Sequence, residues 1–317
     1  MLVESLLPFS DAPPYTIRTM APDEGGVLEQ LDWEAFETYR LRHTKEGHPL
    51  RHRTSANMDA ALHRPYSGVV IEWPPGKVAG YCFTHVWGSL GWLGTLGVAP
   101  KNQGFGLGYA VTAAGIALLR EAGCTTIALE TMPDSGKNLG LYTRLGLEGR
   151  DLTVLCQGIP DLATSVRFDL WQGGSSTLEA IAGQIVPGLN PAPAAQWLLD
   201  EDAGQTLIWW DDGHPAAFAS LRTGSRREGS YHLYLVVEAA ACTPRAAVHW
   251  PRYLSEIQWY ARSLRKSGVV LPVNMRQPAL LRAALSAGLK IVQTRARLGV
   301  GDDLGASDDV LMLTLAM

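Results

Sequence analysis

The stretch Thr95 to Gly108, TLGVAPKNQGFGLG, constrains this chain more than any other. Leu96, Gly97 and Val98 close an apolar strand, and Gly104, Gly106 and Gly108 alternate before a helical-period run from Tyr109 to Glu121. Glycines at a strand-to-helix junction let the backbone approach a ligand and aim several N–H groups at one point. The positive end of the helix dipole adds its attraction for an anion there. The stretch therefore predicts a phosphate cradle. A dinucleotide fingerprint would need Gly three residues after Gly106, where Tyr109 stands, and a nucleoside-triphosphate loop would need a Lys followed by Ser or Thr.

Downstream, Leu129-Glu130-Thr131 reads as a strand end. A polar linker follows, then a short helix from Asn138 through Tyr142 that stops at Gly146-Leu147. Together the two stretches resemble the GNAT superfamily of acyl-CoA N-acyltransferases. Gln103, Gly106 and Gly108 match its Q/R-x-x-G-x-G/A signature, preceded by Leu96, Val98 and Pro100 as L-x-V-x-P. Asn138, Tyr142 and Gly146 match its second motif, with Leu147 in place of Phe. The resemblance implies acetyl-CoA as co-substrate and direct transfer of its acetyl group to an amine. It places the pyrophosphate on Gln103, Gly104, Phe105, Gly106, Leu107 and Gly108 and the pantetheine beside Leu96, Gly97, Val98 and Asn138. Tyr142 is the implied general acid. Glu130 is the best-placed carboxylate for a general base, with a structural role equally open and with Glu72 and His85 as alternatives on neighbouring strands.

Length and composition bound the rest. At 317 residues two domains are the default. Apolar residues at 46% and charged ones at 18% describe a chain that builds cores. The net charge of −4 supplies no general basic field, so no nucleic-acid partner is expected. Cys82, Cys124, Cys156 and Cys242 are scattered, which predicts reduced, buried thiols. Residues 1–14 carry Glu4, Asp11 and three prolines and do not read as a signal peptide. No apolar run approaches the roughly 20 residues of a membrane span. A cytoplasmic protein without membrane contact is the expectation.

In chain order, Tyr15 to Met20 reads as strand and Asp23 to about Leu41 as helix. The segment from Arg40 to Arg64 is dense in Arg and His and predicts a solvated basic loop. His48 and His52 have helical spacing, but Pro49 opposes the helix and no metal site is expected. In the resembled family this segment flanks the acceptor groove, which implies a part in holding an acidic or phosphorylated acceptor. Ser67 to Trp73 and Val78 to Val86 form a hairpin around Pro74-Pro75-Gly76-Lys77. Trp92 to Val98, Thr125 to Thr131, Leu152 to Cys156 and Val166 to Trp171 are further strands, the last able to close a first sheet or open a second.

After Gln205 the pattern begins again. Thr206 to Trp210 and Pro215 to Arg222 repeat the hairpin, Tyr231 to Val237 repeats the strand before the cradle, and Ala246 to Lys266 repeats its helix. Val269 to Asn274, Pro278 to Ala287 and Gly288-Leu289 complete the copy. The glycine loop is missing there: Val237 to Pro244 reads VEAAACTP, and Ala284 stands where the first half has Tyr142. The fold expected is α/β (α+β), with two GNAT-like domains, each a mixed, mostly antiparallel sheet flanked by helices. Residues 1–14 would be a tail, 15–172 the catalytic domain and 173–317 a degenerate copy that mimics a dimer within a monomer. The acceptor, a small-molecule or peptide amine, is not legible. A non-catalytic acyl-CoA-binding or regulatory protein is one alternative. Acetylation of a cysteinyl or protein amine, as in tandem enzymes resembling mycothiol synthase, is another, although there the active half is the C-terminal one.

Overall fold

Two turns of the expected kind start the two halves of the sheet. In the first, the Glu72 carboxylate accepts the Gly76 N–H at 2.8 Å and Gly76 takes φ +84°. In the second, Asp212 and Gly213 both take positive φ, the conformation that matches the twist of a two-residue hairpin. The computed structural model describes residues 15–37, 39–41, 53–159, 167–174, 176–184, 186–224, 233–302 and 310–312. The tail 1–14 and, within the basic segment, Arg42, His43, His48, Arg51 and His52 lie outside them, as do Val166 and Tyr231.

The first half runs β1 (Thr16–Thr19), α1 (Gly25–Ala35), α2 (Ser55–Leu62), β2 (Gly68–Glu72), β3 (Val78–Trp87), β4 (Leu90–Val98), α3 (Leu107–Glu121), β5 (Thr126–Thr131), α4 (Gly136–Arg144) and β6 (Glu148–Gly158). The second runs β7 (Asp169–Leu170), α5 (Ser176–Ala182), α6 (Ala192–Asp200), β8 (Gly204–Asp211), β9 (His214–Arg222), β10 (Tyr234–Cys242), α7 (Trp250–Ser263), β11 (Gly268–Asn274), α8 (Pro278–Ser286), β12 (Lys290–Val300) and β13 (Val310–Met312).

The mixed, mostly antiparallel sheet with flanking helices is present, but as one sheet and not two. Its order is β1-β2-β3-β4-β5-β12-β6-β11-β10-β9-β8-β7. The centre, β5-β12-β6-β11, is an exchange: β12 of the second half pairs with β5, β6 of the first half pairs with β11, and the two exchanged strands pair with each other from Lys290↔Gln157 to Gly299↔Glu148. Each exchanged strand also packs into the other half's core. Val154 and Cys156 of β6 join the cluster built from β8–β11, α7 and α8. Leu298 of β12 joins that of α3, α4 and β2–β5. A third cluster, with Trp171 and helices α5 and α6, covers Trp87, Leu90, Trp92 and Phe218 on both halves. All four cysteines are buried thiols.

Three sequence expectations change. Strand Val166 to Trp171 is reduced to Asp169–Leu170, which pairs with β8 and so opens the second half. The helix expected from Ala246 begins at Trp250, after a 3-10 turn over Pro244–His249. Pro251 has no N–H for the carbonyl one turn earlier, so an α-helix cannot run through it from Ala246. Strand β12 was not anticipated at all, because Gln293, Arg295 and Arg297 interrupt its apolar residues. They alternate with Thr294, Ala296 and Leu298 and so share one face of the strand.

At the crossing, Arg297 stands directly opposite Glu130 and donates to it through Nη2 at 2.9 Å, with side chains 5% and 3% exposed. Removing one partner strands a buried charge, which costs about 3–5 kcal/mol. Arg295 lies 3.9 Å from the other carboxylate oxygen and softens the loss. Arg297→Leu should therefore destabilise the chain by about 3 kcal/mol in urea unfolding, and an unchanged midpoint would show that the pair contributes nothing at the crossing.

Candidate functional site

Strands β4 and β5 pair in parallel only from Leu90↔Thr126 to Leu93↔Leu129. Beyond that point β4 stays with β3 as far as Val98↔Gly80, and β5 stays with β12 as far as Thr131↔Ala296. The two strands therefore splay, and the opening lies beside residues 95–98. A bulge begins the divergence: between Leu93 and Leu96, opposite Thr84 and Cys82, β4 carries one residue more than β3. Gly94, in the bulge, offers its carbonyl to His85 Nε2 at 2.6 Å. Gly97 has no room for a side chain, since a Cβ would lie 2.9 Å from the Tyr81 ring and 3.0 Å from Ala35 on α1.

The glycine stretch occupies the wide end of this opening. A 3-10 turn over Pro100–Asn102 leads to Gly104 at φ +89° and Gly106 at φ +79°, and Gly106 caps the fifteen-residue α3 with no side-chain acceptor for the first amides of the helix. Those amides lack intrahelical partners by geometry, and a helix terminus with the dipole behind such amides suits an anion. Gln103 Nε2 donates to the Val98 carbonyl at 2.9 Å, and Lys137 Nζ donates to Gln103 Oε1 at 2.7 Å, so a cation stands at the cradle. Leu107 is buried, whereas Phe105 is 52% exposed and rests on Trp73 at 5.0 Å between centroids. A Cβ on Gly108 would make only ordinary contacts, 3.8 Å from Leu141 and 3.9 Å from Val98.

Across the opening, α4 supplies Asn138 and Tyr142. Ser135 caps the helix by accepting the Asn138 N–H, and Asn138 Nδ2 donates to Thr131 Oγ1 at 3.1 Å. Tyr142 is buried between the splayed strands. Burial raises its pKa, with the nearby Cys82 adding to the rise and a hydrogen bond with Thr131 opposing it. At neutral pH it is a phenol with a proton to give.

The cleft continues past Tyr142 into a cavity walled by β4, β5, Phe36 and Tyr39 near α1, Arg53, and Gln293 and Arg295 from β12. Glu130 lies on this wall. Its Oε1 accepts from Thr153 Oγ1 at 2.5 Å and from Arg297, whose guanidinium lies 5.3 Å from the Trp92 ring centre; its buried Oε2 has no hydrogen bond. Arg53 Nη1 donates to both Asp32 oxygens at 2.8 Å each, and Tyr81 also donates to Asp32. Gln293 Nε2 donates to Tyr39 Oη at 2.7 Å.

The other two base candidates lie elsewhere. Glu72 is paired with Arg18 at 2.8 Å at the hairpin turn. His85 is buried and held neutral, its pKa well below the ordinary value from burial first and Arg64 second. Arg64 can only donate to Nδ1, at 2.5 Å, so the ring proton sits on Nε2 and goes to the Gly94 carbonyl. Its role is to hold the bulge.

Sequence reasoning missed Tyr39, Gln293, Arg295 and Arg297 and placed Arg53 in a solvated loop, where the structure has its side chain 13% exposed against Asp32. The period-two alternation of Gln293, Arg295 and Arg297 was the available signal.

The second half has a matching splay with a different content. Strands β10 and β11 pair only as far as Val236↔Val270, and β13 then takes the free edge of β10 from Ala239↔Met312 to Ala241↔Val310. The chain's own strand stands where the first half has an opening. Ala284, the counterpart of Tyr142, is buried on α8. Among the described residues no group of His, Cys, Asp and Glu could hold a metal ion, and no helix is long and apolar enough to cross a membrane.

Residues 28–147 match the Acetyltransferase (GNAT) family. A mycothiol acetyltransferase of Arthrobacter sp. (strain FB24) is 31% identical over 119 residues, and one of Pseudarthrobacter chlorophenolicus is 34% identical over 119 residues. Each match covers 36% of this chain and 37% of the relative, so the chain aligns with little more than a third of their length. Over the whole chain the fold is similar to that of a Pyrococcus horikoshii structure given as a candidate acetyltransferase, with TM-score 0.71, 15% identity, and 99% of this chain and 98% of that one covered. It is also similar to a tandem GNAT protein from the clavulanic acid biosynthesis pathway, with TM-score 0.56, 13% identity and coverage of 91% and 98%. Residues 28–147 therefore match the acetyltransferase (GNAT) family, within a chain whose whole fold is similar to that of a tandem GNAT protein.

Proposed function

We propose that this chain is an acetyl-CoA-dependent N-acetyltransferase with one working site, in its first half. The observation that carries the reading is the splay of β4 from β5, with the left-handed glycine loop at its wide end and Tyr142 at its narrow one. Acetyl-CoA would supply the activated acetyl group. The amides of Gln103 to Gly108 and the Lys137 cation would hold its pyrophosphate, the edge of Leu96, Gly97 and Val98 would pair with the pantetheine as an added strand, and Asn138 would face the same arm. An N–H near Val98 would polarise the thioester carbonyl. The amine nitrogen forms the new C–N bond as the C–S bond breaks, and Tyr142 gives its proton to the departing sulfur.

Among the described residues Glu130 is the one carboxylate on the cavity wall, and Oε2 is the atom through which it would take the amine's proton. Its other oxygen is already engaged by Arg297 and Thr153, and in this reading the amine reaches the site largely neutral. The second half, with its splay filled by β13, is proposed to bind no coenzyme and to complete the acceptor cavity through β12. A second reading, activity in the manner of a mycothiol acetyltransferase, rests on the named relatives and their partial alignment.

Calorimetric titration with acetyl-CoA should give one site per chain. Gly108→Val puts a branched side chain at the cofactor cleft with only ordinary contacts behind it, and should weaken binding about tenfold or more; two sites in the native chain would overturn the reading of the second half.

Tyr142→Phe should lower kcat by about 10²- to 10⁴-fold with acetyl-CoA affinity nearly unchanged, and equal loss of both would remove the acid role. With any accepted amine, kcat/KM should rise with pH through that amine's own pKa. Glu130→Gln should cost less than about tenfold, whereas a loss at the upper end of the general-base range would make Glu130 the base.

A further inference from the structure

The acceptor cavity contains a guanidinium that, among the described residues, has no carboxylate of its own. Arg53 is matched by Asp32 and Arg297 by Glu130. Arg295, 18% exposed at its side chain, stands 3.9 Å from Glu130 Oε2. Among the described residues it makes a single long hydrogen bond, Nη2 to Gln293 Oε1 at 3.4 Å. Among the described residues three arginines thus face two carboxylates, and of the two that line the cavity, Arg53 is hydrogen-bonded to a carboxylate and Arg295 is not.

The wall around it suits an anion. Gln293 and Tyr39, linked to each other, place an amide and a phenol beside the guanidinium, and all three line the cavity that reaches Tyr142. Arginine keeps its proton at neutral pH. Burial lowers the pKa of this one, with Glu130 and Tyr39 opposing and Arg53 adding to the fall, so a negative group would relieve its desolvation. One unmatched guanidinium presents a planar fork suited to a monoanionic carboxylate, whereas a doubly charged phosphate would call for the second cation that Asp32 already holds.

We propose that the acceptor is a primary amine carrying a carboxylate, an amino-acid-type molecule, with its carboxylate on Arg295 of the second half and its amine beside Tyr142 of the first. This rests on the acetyltransferase reading above and makes the second half a determinant of acceptor specificity.

The test compares initial rates of CoA release by the full-length chain for amino acids and the corresponding amino-acid amides, and for phosphoethanolamine against ethanolamine. An amide's amine is less basic and more often neutral, so intrinsic reactivity favours the amide. A kcat/KM preference of about tenfold or more for the acid would support the proposal. Arg295→Gln should erase the acid-to-amide ratio through KM, with Arg295→Lys intermediate because it keeps the charge and loses the fork. Circular dichroism confirms that each variant is folded.

Where turnover is slow, the CoA-loaded chain is titrated with N-acetyl amino acids and their amides, and tighter binding of the acids is the supporting result. Equal or better use of amides, preference for phosphoethanolamine, or an acid-to-amide ratio unchanged in both variants overturns the carboxylate assignment while leaving acetyl-CoA binding and transfer intact. Failure of the native chain to bind acetyl-CoA overturns the acetyltransferase reading itself.

Discussion

The structure depends on the antiparallel pairing of β6 with β12. Each half of the chain forms strands up to the point where its sheet needs one more, and that strand is lent by the other half. Backbone groups at the centre of a sheet have no water to turn to, so neither half could release the exchanged strand without leaving a ladder unpaired and a core open. Val154 and Cys156 fill the second core and Leu298 the first, which makes the two hydrophobic clusters dependent on one another. The ion pair of Arg297 with Glu130 lies at the same crossing and fixes register there, because a slip of one residue would turn Arg297 to the apolar face.

The exchange joins two similar halves whose splayed strands differ in content. Both contain a parallel pair of strands that separates after a few residues. In the first half the separated edge adjoins a glycine loop, a lysine and a buried tyrosine. In the second the edge is taken by β13, the loop lacks glycine and the tyrosine position holds Ala284. The second half still reaches the site, through the polar face of β12. Gln293 and Arg295 lie on the wall of the first half's cavity because β12 is the immediate neighbour of β5. A sheet neighbour is held in place along its whole length, so such side chains are positioned more firmly than they would be on a loop.

Much of this was legible in the sequence because it is local. Alternating glycines after an apolar strand imply a cradle whatever surrounds them, a glycine at 146 implies the end of a helix, and the place of Tyr142 came from the resemblance of Asn138, Tyr142 and Gly146 to a family motif. The loss of glycine and tyrosine in the second copy could be read directly. What could not be read was decided by pairing between residues far apart in the chain. The polar alternation of β12 looks like surface until β5 and β6 flank it, and Arg53 looks like part of a solvated loop until Asp32 faces it. Sequence by itself determined most of the elements, the repeat and the glycine loop before α3, since these follow from backbone conformation and period. Only the tertiary structure decided that the halves share one sheet, that β13 lies in the second splay and that an arginine of the second half lines the first half's cavity, because β-pairing is set by partners the local sequence does not contain.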